Sequence, residues 1–222
     1  MKTTLLPKII AVAALLTPAA ALADLTITQQ LEKPGAKPVE MTMKLKDGRV
    51  RSDLNEQMTA IIDTKTGDTT TLMHEQKMAM KIPGAMVKAA QASAMAEMGA
   101  KDEEMAAPEK TGRSETISGF RCEEYVTTHN GKKFTVWITN DIPDAEAITA
   151  QFAALSPDAN PAGNLFDASQ VDGFPIRTIA EIAPGQTMTM TVTGLSRDPL
   201  PAKDFEVPSG YREMAMPQIP GQ

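Results

Sequence analysis

Apolar and polar residues alternate through most of this chain, and turn dipeptides cut the alternation at intervals. Residues two apart on an extended strand face the same way, so a period of two marks strands with one buried face. Leu25, Ile27 and Leu31 open the series, with Gln29 as its polar exception. Val39, Met41, Met43 and Leu45 follow, with Glu40, Thr42 and Lys44 opposite. Asp47-Gly48 then turns the chain, because glycine takes the positive φ that a tight hairpin demands. Further strands are expected at Arg49–Leu54, Gln57–Thr64, Thr69–Glu75 and Lys77–Ile82, with "TKTGD" at 64–68 as a turn.

After Pro83-Gly84 the period changes. Residues 85–98 are rich in alanine and nearly free of β-branching, and Val87, Ala90, Ala94 and Met98 form one helical stripe. Met86 and Met95 flank that stripe and Gln91 interrupts it. Residues 99–114 are charged and lack a strand period; they read as an exposed, mobile linker. Strand signals resume at Phe120–His129 and Lys132–Thr139, on either side of Asn130-Gly131, with Trp137 in the second arm. A second helical stripe holds Ala145, Ile148, Phe152 and Leu155, with Asp141 and Asp144 placed at its start. A Pro/Asn/Gly/Asp-rich loop covers 156–172, a last hairpin pairs Phe174–Ala183 with Gln186–Arg197, and 204–214 reads as an extended tail. The expected fold is α+β: one curved antiparallel sheet of about ten or eleven strands, an open half-barrel, with two inserted helices covering its concave face.

The first residues point to export. Lys2 and Lys8 accompany the apolar run Ile9–Leu16, and Ala21-Leu22-Ala23 has the form of a signal cleavage site. The run is shorter than the roughly 20 residues that span a bilayer. Residues 1–23 are therefore expected to be a cleaved signal peptide, 24–214 a single domain and 215–222 a flexible tail. The expected compartment is the periplasm. Lipid attachment is not expected, because the one cysteine, Cys122, lies far from the cleavage point. With no partner for an internal disulfide, Cys122 is expected to serve as a small buried apolar residue. Removing the two leader lysines leaves 20 basic against 28 acidic residues, an excess that argues against nucleic acid and anionic membranes as partners. Stable membrane insertion is not expected, and a monomer is.

Aromatic residues make up only 4 % of the chain, so the 15 methionines must supply much of its apolar bulk. They recur as Met-x-Met at 41–43, 78–80, 188–190 and 214–216. On a strand each pair sets two thioethers on one face. If Met41, Met43, Met78, Met80, Met188 and Met190 all point inward, they line one hollow, closed by Met86, Val87, Met98, Ile148 and Phe152 from the helices. Methionine is flexible and polarizable, and makes an adaptable wall for a hydrophobic small molecule or lipid. Two other readings stand beside this one. Thioethers also suit Cu(I) or Ag(I), and Met73, His74, Met78 and Met80 lie close in sequence; adjacent Met73 and His74 face opposite ways, so only one could join the pair. The third reading is a ligand-free scaffold in which the methionines simply fill a core.

Catalysis finds no motif. G-x-S-x-G, H-E-x-x-H, Cys-x-x-Cys and a Gly-rich phosphate loop are absent from the sequence. Cys122 and His129 are an odd number of residues apart, so on one strand they face opposite sides. Asp102-Glu103-Glu104 reads as solvated linker charge. The expectation is a binding protein with no cofactor, not an enzyme.

Four stretches taken in order carry a family resemblance: "KLKDGRVRSDL" at 44–54, "GFRCEEYVTTHNGKKFTVWIT" at 119–139, "GFPIRTIAEI" at 173–182 and "DFEVPSGYREM" at 204–214. Together they resemble the secreted bacterial family called domain of unknown function 4412. That family is similar to the periplasmic lipoprotein carriers LolA and LolB and to mycobacterial lipid-binding lipoproteins. The resemblance implies a half-barrel with a helical lid and an apolar cavity for acyl chains. It implies no catalytic residues.

Overall fold

A computed structural model describes residues 24–97, 106–129, 131–153 and 171–215. Among these residues, twelve strands form one sheet. In chain order they are β1 (Leu25–Glu32), β2 (Val39–Lys46), β3 (Arg49–Asn55), β4 (Met58–Asp63), β5 (Thr69–Met73), β6 (Met78–Ile82), β7 (Glu109–Ile117), β8 (Phe120–His129), β9 (Lys132–Thr139), β10 (Phe174–Ala183), β11 (Gln186–Ser196) and β12 (Arg212–Ala215). Across the sheet the order is β12-β6-β5-β4-β3-β2-β1-β11-β10-β9-β8-β7. Two antiparallel meanders, β1–β6 and β7–β11, therefore join where β1 pairs with β11. The last strand returns to lie parallel to β6 at one edge.

Local chemistry sets the hairpins. Asp47 and Gly48 both take positive φ, 49° and 75°, which matches the right-handed twist of the strands they join. Register shifts interrupt the ladders between Thr28 and Gln29, and between Pro175 and Arg177. Such bulges bend the strand and deepen local twist, and the sheet is open and curved.

The main core joins Ile27, Met43, Leu45 and Val50 to Trp137, Phe174, Ile176 and Val192. Each fully buried side chain of this kind contributes about 1.5–3 kcal/mol. Helix α2 (Ala145–Ala153) adds Ile148 to that core. A smaller cluster sets Phe205, from a 3-10 turn at Ala202–Phe205, against Ile61, Leu72 and Ala79. Gly84 opens helix α1 (Gly84–Glu97) against the 66–67 turn, where a Cβ would collide with the Thr66 carbonyl oxygen. Past its first turn, Lys88, Ala89, Ala90 and Ser93 of α1 are exposed.

The molecule is thus mostly β, with two α-helices among the described residues. Strand bounds at 120–129, 132–139 and 174–183 agree with the alternation. Two strands do not follow from it. β7 begins within the stretch read as a linker and runs past its end, and its residues are exposed except for Ile117. A strand bathed on both faces has no reason to alternate. β12 falls in the stretch read as an extended tail and reaches Ala215; residues 216–222 lie outside the described residues.

Candidate functional site

Cross-strand register decides where the methionines face, because directly opposite residues share a face. Met43 lies opposite Ile27 on β1 and Ser52 on β3. Ser52 lies opposite Ala60, Ala60 opposite Thr71, Thr71 opposite Met80, and Met80 opposite Met214. The neighbouring row sets Met41 opposite Gln29, and Met58, Met73 and Met78 opposite one another on β4, β5 and β6. Met190 lies opposite Leu31, on the same side of β1 as Ile27, and Met188 follows two residues away. The Met-x-Met pairs of β2, β6 and β11 thus lie on one face of the sheet.

Burial grades along that face. Met43 and Met190 are each 4 % exposed and belong to the packed interior. Met41, Met73, Met78, Met80 and Met188 are half-buried, while Met58, at the start of β4, and Met214, on the edge strand β12, stand 38 % and 40 % exposed. Ser52 sits in the row between Met43 and Ala60, 3 % exposed, and its hydroxyl has no hydrogen-bond partner. Leaving such a group unpaired costs about 1–3 kcal/mol.

The helical residues proposed for the same wall separate. Ile148 is core. Met86 and Val87 are half-buried in the first turns of α1. Phe152 lies in α2, but its side chain is outside the described residues, as is the whole of Met98. Met58 and Met214 join the face without having been expected there. Met58 has no methionine two positions away to mark it, and Met214 lies in the tail; register alone reveals both.

The opposite face holds the C-terminal segment, through the Phe205 cluster and a polar network beside it. Thr59 donates to the Asp53 carboxylate at 2.6 Å, so His74 Nε2 donates to the Thr59 hydroxyl at 2.9 Å. In the neutral ring Nδ1 then accepts from the Tyr211 hydroxyl at 2.6 Å. Arg51 binds Asp53 and also donates to the Asp204 carbonyl at 2.9 Å, while Lys44 meets the Asp204 carboxylate at 2.7 Å. Burial acts to raise the pKa of Asp53. Hydrogen bonds from Arg51 and Thr59, with the charges of Arg51 and Lys44, outweigh it and hold the group below its ordinary value. His74 is therefore engaged at both nitrogens, on the side away from Met78 and Met80. The grouping of these three as metal ligands does not form; adjacency to Met73 on a strand puts His74 on the wrong face.

A cleft of about 860 Å³ opens beside this segment, between Arg49, Ile61 and Lys81 of the sheet, Met86 of α1, and Phe205 and Val207. Apart from Met86, the expected wall residues do not line it. Among the described residues, no three His, Cys, Asp or Glu side chains come together to hold a metal ion. Cys122 is buried, and that burial pushes its thiol pKa up, which makes it unreactive.

Residues 25–211 match the family described as domain of unknown function DUF4412. The chain belongs to the DUF4412 family. The stretches through which it resembles that family serve the fold. Lys44, Arg51, Asp53, Asp204, Phe205 and Tyr211 fasten the C-terminal segment. Cys122, Trp137, Phe174 and Ile176 build the main core. No curated protein matches this DUF4412 chain. Among solved structures, two of PNGF-II are 13 % and 11 % identical, with TM-scores of 0.42 and 0.44. Each covers 87 % of this chain, which spans only 31 % of that protein's. A crystal structure of a LolA superfamily protein from Nitrosomonas europaea is 9 % identical, with a TM-score of 0.29, covering 83 % of this chain and 89 % of its own.

Proposed function

We propose that this DUF4412 protein is a non-catalytic carrier in the periplasm, holding an apolar ligand (a lipid, an acyl chain or a lipidated partner) against the methionine face of its sheet. The carrying observation is the register, which gathers half-buried thioethers of β2, β6 and β11 on one side. Met41, Met78, Met80 and Met188 form the contact surface, and buried Met43 and Met190 form the floor beneath it. The short apolar leader supports the compartment, and the similarity of the DUF4412 family to periplasmic lipoprotein carriers supports the ligand class. In its finer form the sheet is a half-barrel with a helical lid.

An acyl chain gains about 0.8 kcal/mol for each CH2 taken out of water. A dozen methylenes offer about 10 kcal/mol gross, from which association removes several. That leaves binding firm enough to hold a ligand and loose enough to release it. The unpaired Ser52 hydroxyl supports a ligand that carries a polar group among its methylenes. The test is organic extraction of protein purified from its own periplasm, followed by mass spectrometry of the extract. Recovery of a lipid in near-stoichiometric amount is expected. An empty protein that also ignores a fluorescent fatty acid would defeat the proposal.

A further inference from the structure

The β4–β6 end of the methionine face has a feature that an apolar ligand does not require. Met58, Met73 and Met78 are direct cross-strand neighbours on three successive strands. Side chains in such positions have Cβ atoms about 4.5–5.5 Å apart. Each methionine has three rotatable side-chain torsions, so three sulfurs starting from one row can turn toward a common point. In the next row Met80 lies opposite Met214, which places two more thioethers alongside. Simple core packing would enclose these groups, yet Met58 is 38 % exposed and Met73 and Met78 are half-buried. They are open to an ion arriving from solvent.

We infer that Met58, Met73 and Met78 form a binding site for a soft monovalent cation, Cu(I) or Ag(I). Thioether sulfur is a soft, neutral donor, and it selects Cu(I) over the hard cations that take oxygen ligands. Two competing donors among the described residues are elsewhere. His74 spends both ring nitrogens on Thr59 and Tyr211 across the sheet. Cys122 is buried in β8, in the other meander. The inference stands apart from the apolar ligand, since either could be true without the other.

Neutral thioethers release no proton when they bind a metal, unlike cysteine or histidine. Affinity at this site is therefore flat between about pH 5 and pH 8, where imidazole and thiol donors are competing for protons. The experiment is a titration of the protein, carrying 13C-methyl methionine, with Ag(I). At one equivalent the methyl signals of Met58, Met73 and Met78 shift together, and those of Met43 and Met190 stay. The one-equivalent step persists in Cys122→Ala, and it is lost when Met58, Met73 and Met78 are all replaced by leucine, which keeps their volume. Shifts spread evenly over all methionines, a step that vanishes in Cys122→Ala, or affinity that rises with pH would overturn the inference. Because the methyl shifts are read on the unsubstituted protein, they decide the matter even if the triple variant does not fold.

Discussion

Asp53 shows why single residues resist reading from a sequence. It occupies a polar position on β3, where alternation assigns it to a solvated face. It bonds directly to Arg51 and Thr59, and through Arg51, Thr59 and His74 it is tied to Asp204 and Tyr211 in the segment that closes the fold. Ser52, its neighbour, is polar yet faces the methionines, and nothing in its local sequence says so. Cys122 was legible, because a lone cysteine on a strand pattern has little to do but fill space. Asp53 carries a testable consequence. A carboxyl whose folded pKa is depressed stabilises the protein above its unfolded pKa, near pH 4, and that contribution is lost as pH falls through the folded pKa. Asp53→Asn is expected to cost about 1 kcal/mol at pH 7, allowing for partial exposure. It is also expected to flatten the fall in stability below about pH 4. Urea denaturation at several pH values measures both.

At the scale of elements, the interior strands announced themselves and the edge strands did not. Half-buried strands must alternate to place apolar groups on one side, so β2, β8 and β10 could be read directly. β7 is held differently. Lys110 pairs with Glu123, and Arg113 reaches Glu124, itself only 6 % exposed, at 3.0 Å while lying over the Trp137 ring. Thr111 adds a hydrogen bond to the same carboxylate at 2.8 Å. Charged residues along an edge also discourage pairing with other chains. Sequence shows those charges and hides their purpose. Arg113→Ala is expected to loosen β7 by about 1–2 kcal/mol, since it removes a charge-assisted bond and a cation–π contact together. Hydrogen exchange checks this. Amides of Glu109–Ile117 should exchange faster, while those of β1 and β2 should not change.

The whole molecule depends on a junction that no local pattern encodes. β1 and β11 lie near opposite ends of the chain, and their pairing turns two meanders into one sheet. The same pairing brings Met188 and Met190 onto the face that β2 and β6 supply with Met41, Met43, Met78 and Met80. Sequence indicated that each pair had one face. It could not indicate that the faces agree, that Met43 and Met190 are sealed inside, or that β12 extends the face beyond Met80 with Met214. The most direct test uses a fluorescent fatty acid and charged substitutions on each side of the sheet. Met41→Glu and Met80→Glu, both at half-buried positions, place a carboxylate on the methionine face. Thr70→Glu places one in the cleft behind it. If the methionine face holds the ligand, the first two weaken binding tenfold or more, about 1.4 kcal/mol, and Thr70→Glu binds as the unsubstituted protein does. If Thr70→Glu abolishes binding while Met41→Glu and Met80→Glu leave it intact, the ligand lies on the other side and the account is wrong.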